Sequence, residues 1–426
     1  MLLWLLVASP CPSASRTVTI HNDKPRLDVD GNVVDAFGGT IVAHPNGTYF
    51  LYGESYGNQT LATPYPWADW PRLKVYTSPD LVSWTLRGDP LPMAPGTLWI
   101  PQVVFHEQTQ RFIMWYGSGG WMTALSTDGI NFVPAAGPFA SRFCPRGGGA
   151  ASAASDRACT TDGTGILVDD DGTGYVAFAA MPPGFDEPDH PGWPGHVAHN
   201  YGHIVSIERM TPDLLRTSRV NVTGLFPDDF VESPSLFKRK GRYYLSYGSC
   251  CCGCAEGGGQ VVFSAPAIEG PWVKQPHADV NCRSATAPIC GGYSARDAEV
   301  DALVWHAQWF APSTIPLANG ETQVLLNGHR WLSGPNRPEG CFDICGNGRP
   351  WGRGNATLCQ VGGDQYRIAT DFSVWYPLEF DDANGGTVLP MRPLASFELE
   401  LPELPWGSAD HSQGSSIQSP LHLHLQ

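Results

Sequence analysis

The chain has 426 residues, 42% of them hydrophobic and only 16% charged, with 48 glycines, 38 prolines, 15 tryptophans, 14 tyrosines and 18 phenylalanines. Turn formers and rings at this density suit a turn-dense β protein and argue against a helical bundle. Lys+Arg 26 against Asp+Glu 41 leaves a net charge of −15, a field that repels phosphate backbones and excludes nucleic acid as a partner.

Met1–Ala8 is a short apolar run, and Ser13-Ala14-Ser15 offers a small-residue cleavage site, so residues 1–15 read as a signal peptide. The run is far shorter than the roughly 20 residues a membrane span needs, no other segment qualifies, and no membrane partner is expected. Sequons at Asn46, Asn58, Asn221 and Asn355 and the 12 cysteines also point to export. Cys144 with Cys159, Cys282 with Cys290, and pairs among Cys341, Cys345 and Cys359 are candidate loop staples, with connectivity open. Cys250-Cys251-Cys252-Gly253-Cys254 lacks a second CxxC or a spaced histidine pair. Oxidised thiols are therefore expected there rather than a metal site, and no cofactor is indicated.

From Thr48 onward the chain alternates two phrases. The first is an aromatic strand entered through a polar turn: Thr48–Gly53, Arg111–Gly117, Gly174–Phe178 and Arg242–Gly248. The second is a strand, a Ser/Thr/Pro/Asp turn and a strand, at 75–84, 124–132, 206–215 and 262–272. Turns as short as His44-Pro45-Asn46-Gly47 and Lys238-Arg239-Lys240-Gly241 join antiparallel hairpins. Asp169-Asp170-Asp171-Gly172 sits at this turn position and reads as a turn rather than a calcium loop. Four strands per unit recurring four times is the arithmetic of propeller blades, and a fifth blade can be assembled from 302–310, 323–331 and 374–380. The expected fold is an all-β, five-bladed β-propeller over residues 16–406. Stretches 61–72, 181–199 and 334–363 interrupt it as long insertions, and 407–426 is expected to be a disordered tail.

Glu232 stands just before a strand and is followed by Ser233-Pro234. Pro234 lacks an N–H and favours an extended Ser233, so Glu232 should sit at a strand mouth, where scaffolds present catalytic groups. Glu54 ends an aromatic strand and is a candidate for sugar hydroxyls, with a structural salt bridge as the alternative. Trp99, Trp115 and Trp121 are candidate platforms for a pyranose face, against the alternative of packing between blades. His203 and His306 read as structural.

The chain resembles the five-bladed propellers of glycoside hydrolase family 43, and within it the exo-β-1,3-galactanase group. The resemblance rests on six motifs in order. They are Ala36-Phe37-Gly38-Gly39-Thr40-Ile41 with Tyr52-Gly53-Glu54; Tyr76-Thr77-Ser78-Pro79-Asp80-Leu81 with Trp84; Glu232-Ser233-Pro234; Ala307-Gln308; Asn327-Gly328-His329-Arg330-Trp331; and Trp375-Tyr376-Pro377-Leu378-Glu379-Phe380. It implies Glu232 as general acid, Gln308 where a base is expected, and hydrolysis with inversion. It also implies a carboxylate tuning the acid, which falls at Gly163, so that Asp162 serves only with a one-residue bulge. Gly39 takes the place of the usual base aspartate, Trp99 that of a galactanase glutamate, and Phe37 that of a histidine. Asp35 is the only acid of the opening strand and lies four residues before Gly39.

Inverting hydrolysis needs an acid on the leaving oxygen and a group opposite that activates water. Gln308 is no strong base; it orients a water or acts through its imidic tautomer, and its alternative is a core amide. The expectation is a secreted, monomeric hydrolase of β-linked galactan-type or related plant and algal polysaccharide. One alternative is an arabinofuranosidase or xylosidase, and another is a propeller that binds carbohydrate without cleaving it.

Overall fold

The two alternating phrases fold into antiparallel sheets, each wound from an inner strand outward. The computed structural model describes residues 15–58, 72–94, 96–118, 120–137, 139, 161–180, 203–222, 226–228, 232–248, 260–275, 307–331, 333–336, 360–361, 364–392 and 394–403. At 161–164, 179–180, 203–204, 221, 226–228, 232, 360–361 and 364–365 only the backbone is described. Residues 1–14, residues 407–426 and every cysteine lie outside the described residues, as does most of the three insertions.

Blade one pairs Ile41–Ala43, Tyr49–Ser55, Arg72–Ser78 and Thr85–Gly88 in that order. Blade two pairs Trp99–His106, Arg111–Gly117, Trp121–Ser126 and Val133–Ala136. Blade three pairs Thr161–Val168, Gly174–Ala180, His203–Met210 and Thr217–Asn221, with Phe226–Asp228 also along the third strand. Blade four pairs Glu232–Arg239, Arg242–Gly248, Val261–Ala265 and Val273–Lys274. Blade five has a broken inner strand, Gln308–Trp309 and Ser313–Pro316, followed by Thr322–Arg330 and Phe372–Pro377.

Five buried apolar clusters fill the five gaps between neighbouring sheets, and this closes the ring. Tyr52, Val75 and Phe112 join blades one and two; Trp115, Val176 and Leu214 join two and three; Ala177, Leu236 and Tyr247 join three and four. Phe237, Trp309 and Tyr376 join four and five, and Leu51, Trp84, Leu325 and Trp375 join five back to one. Because both sheet faces are covered, strands such as Tyr49–Ser55 are buried at every position, and this is where the aromatic excess goes.

The repeated phrases have a local cause. In the second phrase Asp80, Asp128 and Asp213 each accept a backbone N–H two residues on, and Asp80 and Asp128 also accept one from three residues on. These bonds hold all three carboxyls below the usual range, with Asp128 near about 2. The next residue is left-handed each time: Leu81 at φ 64°, Gly129 at 73°, Leu214 at 59°. In the first phrase Gly47, Gly172 and Gly320 donate back three residues to close the hairpins, so Asp169–Gly172 is a turn, as expected. Among the described residues no cluster of metal-ligating side chains occurs.

One element was not foreseen. Ser15–His21 pairs along its whole length with Ser396–Pro402, tying the two ends of the propeller across the gap between blades five and one. Buried Asn22 locks that seam: its amide nitrogen donates to Trp375 O at 2.9 Å and Leu394 O at 3.2 Å, and its oxygen accepts Trp375 N at 2.9 Å.

Candidate active site

Each blade is entered at its inner strand and left at its outer one, so every inner strand begins on the same face. There the inner strands carry one extra residue. Trp99 pairs with Gly117 but Gln102 with Trp115; Glu232 pairs with Gly248 but Ser235 with Ser246. Phe37 bridges Glu54 while Thr40 O accepts Tyr52 N, which is the same count. Bulges of this kind re-aim side chains where a ladder ends. Left-handed residues build them: Gly38 at φ 66°, Ile100 at 40° and Ser233 at 48°. The expectation of an extended Ser233 is therefore corrected, since the bulge overrides the preference imposed by Pro234, at a cost of roughly 1–2 kcal/mol. Glu232 still opens its strand at this mouth.

The bulge that an Asp162 role requires is present. Asp162 pairs with Ala179 and Thr164 with Phe178, leaving Gly163 as the extra residue. The side chains of Asp162 and Glu232 lie outside the described residues.

In blade one the backbone leaves no room for a base. A Cβ at Gly39 would stand 1.8 Å from Tyr52 O, so the position cannot carry an aspartate without moving the sheet. Asp35 is no substitute. It is 4% exposed and is held by Ser55 Oγ at 2.7 Å, Tyr56 N at 2.8 Å, Gly57 N at 2.9 Å and Lys74 Nζ at 3.1 Å.

Glu54 reaches across to blade two. Its Oε1 accepts the strained Ile100 N–H at 2.6 Å, and its Oε2 accepts Tyr56 OH at 3.0 Å. Burial pushes its carboxyl up to about 7, against the pull of these two hydrogen bonds. With 5% exposure and both oxygens engaged, Glu54 braces the blade-two bulge and thereby fixes the backbone that carries Trp99. Trp99 is half-buried, and its ring occupies the space that a Cβ on Gly117 would take.

On blade five, Gln308 pairs directly opposite His329. Its Oε1 accepts the indole N–H of Trp331 at 2.8 Å. His329 is stacked between Phe37 and Trp331, with ring centroids at 4.2 Å and 4.0 Å and ring planes inclined by 26° and 28°. Its Nε2 lies 3.1 Å from Asp371 Oδ2, and both side chains are fully buried. Tyr56 meets His329 and Trp331 at 5.5 Å and 5.8 Å. A continuous set of contacts thus runs from Trp99 through Glu54 and Tyr56 to Gln308, across blades two, one and five.

Residues 39–292, more than half of the chain, match the model of glycosyl hydrolases family 43. The chain belongs to glycoside hydrolase family 43. Among solved structures it is similar to an exo-β-1,3-galactanase from Clostridium thermocellum, with TM-score 0.58 and 19% identity over 90% of this chain and 67% of that one. An exo-β-1,3-galactanase from Phanerochaete chrysosporium, solved with β-1,3-galactotriose, matches with TM-score 0.56 and 18% identity over 88% and 66%. A family-43 β-1,3-galactosidase solved with galactodeoxynojirimycin matches with TM-score 0.55 and 17% identity, and there 99% of that chain is covered. At these identities the likeness establishes the five-bladed propeller. No curated protein matches.

In this family-43 propeller the other two tryptophan expectations are corrected. Trp115 is 1% exposed, donates its indole N–H to Leu214 O at 2.8 Å and stacks on Phe139 at 4.5 Å. Trp121, 9% exposed, packs in the same cluster between blades two and three. Rings this deeply buried are inter-blade core and not exposed platforms for a sugar. Sequence reading did not single out Tyr56, His329 or Asp371. His329 and Trp331 were visible only inside the fifth quoted motif, and nothing local marks Asp371, whose partner is 42 positions away.

Proposed function

We propose that this family-43 hydrolase cleaves β-linked galactan-type polysaccharide with inversion at the anomeric carbon. The observation that carries the reading is the pairing of absence and presence at the inner-strand mouths. Gly39 has no room for a carboxylate, whereas blade five offers Gln308 in a fixed orientation. The similar structures that are galactanases and a galactosidase support the sugar class. Glu232, opening the inner strand of blade four, gives its proton to the leaving glycosidic oxygen. A water held by Gln308 attacks the anomeric carbon from the opposite face. Its proton is taken at Nε2 of the imidic tautomer while the O–H proton passes to solvent water, and the amide so formed regains the imidic form by the reverse exchange with water before the next turnover. Asp162, beside its bulge, keeps the Glu232 carboxyl protonated by like-charge repulsion. Trp99 supplies an apolar face for the sugar ring. The protein acts as a monomer.

Export belongs to the same reading. Asn46 and Asn58 are exposed on turns where a glycan can be attached.

The test compares β-1,3-galacto-oligosaccharide, aryl α-L-arabinofuranoside and aryl β-xyloside, following the first-formed product by proton NMR. Release of galactose as its α-anomer is expected. A β-anomer first would overturn inversion, and a preference for the arabinoside or xyloside would overturn the sugar assignment. Tight oligosaccharide binding with no turnover would make the protein a binding propeller.

A further inference from the structure

Gln308 is held in a way that the reaction scheme alone does not require. An indole N–H donates and never accepts, so the atom facing Trp331 must be the amide oxygen, and the NH2 group is turned away from the indole. Trp331 therefore fixes the amide's orientation at its own side: the oxygen faces the indole and the nitrogen does not. The indole itself is held on several sides. Its ring lies on His329, which lies on Phe37 of blade one, and the edge of Tyr56 closes a further side. The imidazole cannot swivel, because Asp371 holds its Nε2. Asp371 is fixed in turn by Ser333 N at 3.0 Å, Gly334 N at 3.2 Å and the hydroxyl of Tyr366. Every member described from Phe37 to Asp371 is 5% exposed or less.

We propose that Trp331 is the positioning residue for Gln308, and that the Phe37–His329–Trp331 stack anchored by Asp371 exists to present the amide through its nitrogen. This rests on the assignment of Gln308 to the sugar site. With the oxygen on the indole, the nitrogen is the atom turned to the attacking water, and in the imidic tautomer it is the atom that takes the water's proton. An amide free to flip would spend part of its time with that nitrogen turned toward the indole and away from the water. A reacting group misplaced on the scale of an ångström costs about 10²-fold in rate.

Trp331→Phe keeps an aromatic ring against His329 and removes the N–H together with part of the ring's volume, so its melting temperature is measured beside its kinetics. The expected result is a fall of about 10²-fold in kcat with KM within about threefold of wild type, because ground-state contacts are unchanged. A role confined to packing would lower the melting temperature and leave kcat of the folded fraction intact, and that outcome overturns the proposal. A second measurement needs neither turnover nor a folded Trp331 variant. In 15N-labelled wild-type protein the Trp331 indole proton should resonate downfield as a hydrogen-bonded N–H, and should move upfield in Gln308→Leu. No movement would refute the pin directly. A wild type inert on every glycoside but showing this movement would sink the hydrolase reading and leave the pinned amide standing.

Discussion

Glu54→Gln isolates the cost of keeping a carboxylate under the inner face. In the folded protein the Glu54 carboxyl titrates near about 7, raised from 4.5 by burial. A carboxyl whose folded value is raised holds its proton more tightly when folded. Its stabilising share is thus intact below pH 4.5 and is lost as the pH climbs through 7. Between pH 5 and pH 8 the linkage amounts to about 2.5 kcal/mol. With an unfolding entropy of about 2.1 cal/mol/K per residue, that is about 3 °C in melting temperature for a chain of this size. Gln is isosteric and neutral, and its oxygen still accepts the Ile100 N–H while its amide nitrogen can donate to the Tyr56 oxygen. Thermal melts of both proteins at half-unit steps from pH 5 to 8 provide the assay. The variant should be no more stable than wild type at pH 5 and should gain on it steadily, reaching about 3 °C by pH 8. Curves that stay parallel over the whole interval would show that Glu54 is ionised in the folded state and that the brace has been misread.

Three further outcomes follow from packing. Gly39→Ala forces a Cβ onto Tyr52 O and should cost about 1–3 kcal/mol or more in urea unfolding, and Gly39→Asp should give no gain in hydrolysis. Asn22→Ala leaves both backbone groups of Trp375 unsatisfied inside the seam and should cost about 2–4 kcal/mol, with normal stability arguing that the terminal strands are ornamental. Trp115→Phe loses the bond to Leu214 O and about 1 kcal/mol of stability, yet should leave kcat/KM for oligosaccharide within twofold, whereas a sugar-stacking ring would show its loss in KM.

The blades were legible in the sequence because their causes are local. Asp80, Asp128 and Asp213 cap their own turns, and Gly47 and Gly172 close their own hairpins, so each repeat carries its own signal. The mouth of Glu232 was legible for the same reason, although the left-handed Ser233 was not, since a bulge depends on the partner strand. Tryptophans gave the poorest reading. A ring that stacks on a sugar and a ring that fills the gap between two blades have the same neighbours in sequence, and only the carbonyl of Leu214, 99 positions away, marks Trp115 as core. The stack through His329 and the seam at Asn22 are likewise long-range, joining parts of the chain that no short motif connects.

The most direct measurement is galactose release from β-1,3-galactan by Glu232→Gln beside wild type, with matched melting temperatures as proof of folding. If the proton comes from that carboxyl, the variant should turn over about 10²–10⁴-fold more slowly. Equal rates from two equally folded proteins would remove Glu232 from the chemistry and contradict the account at its centre.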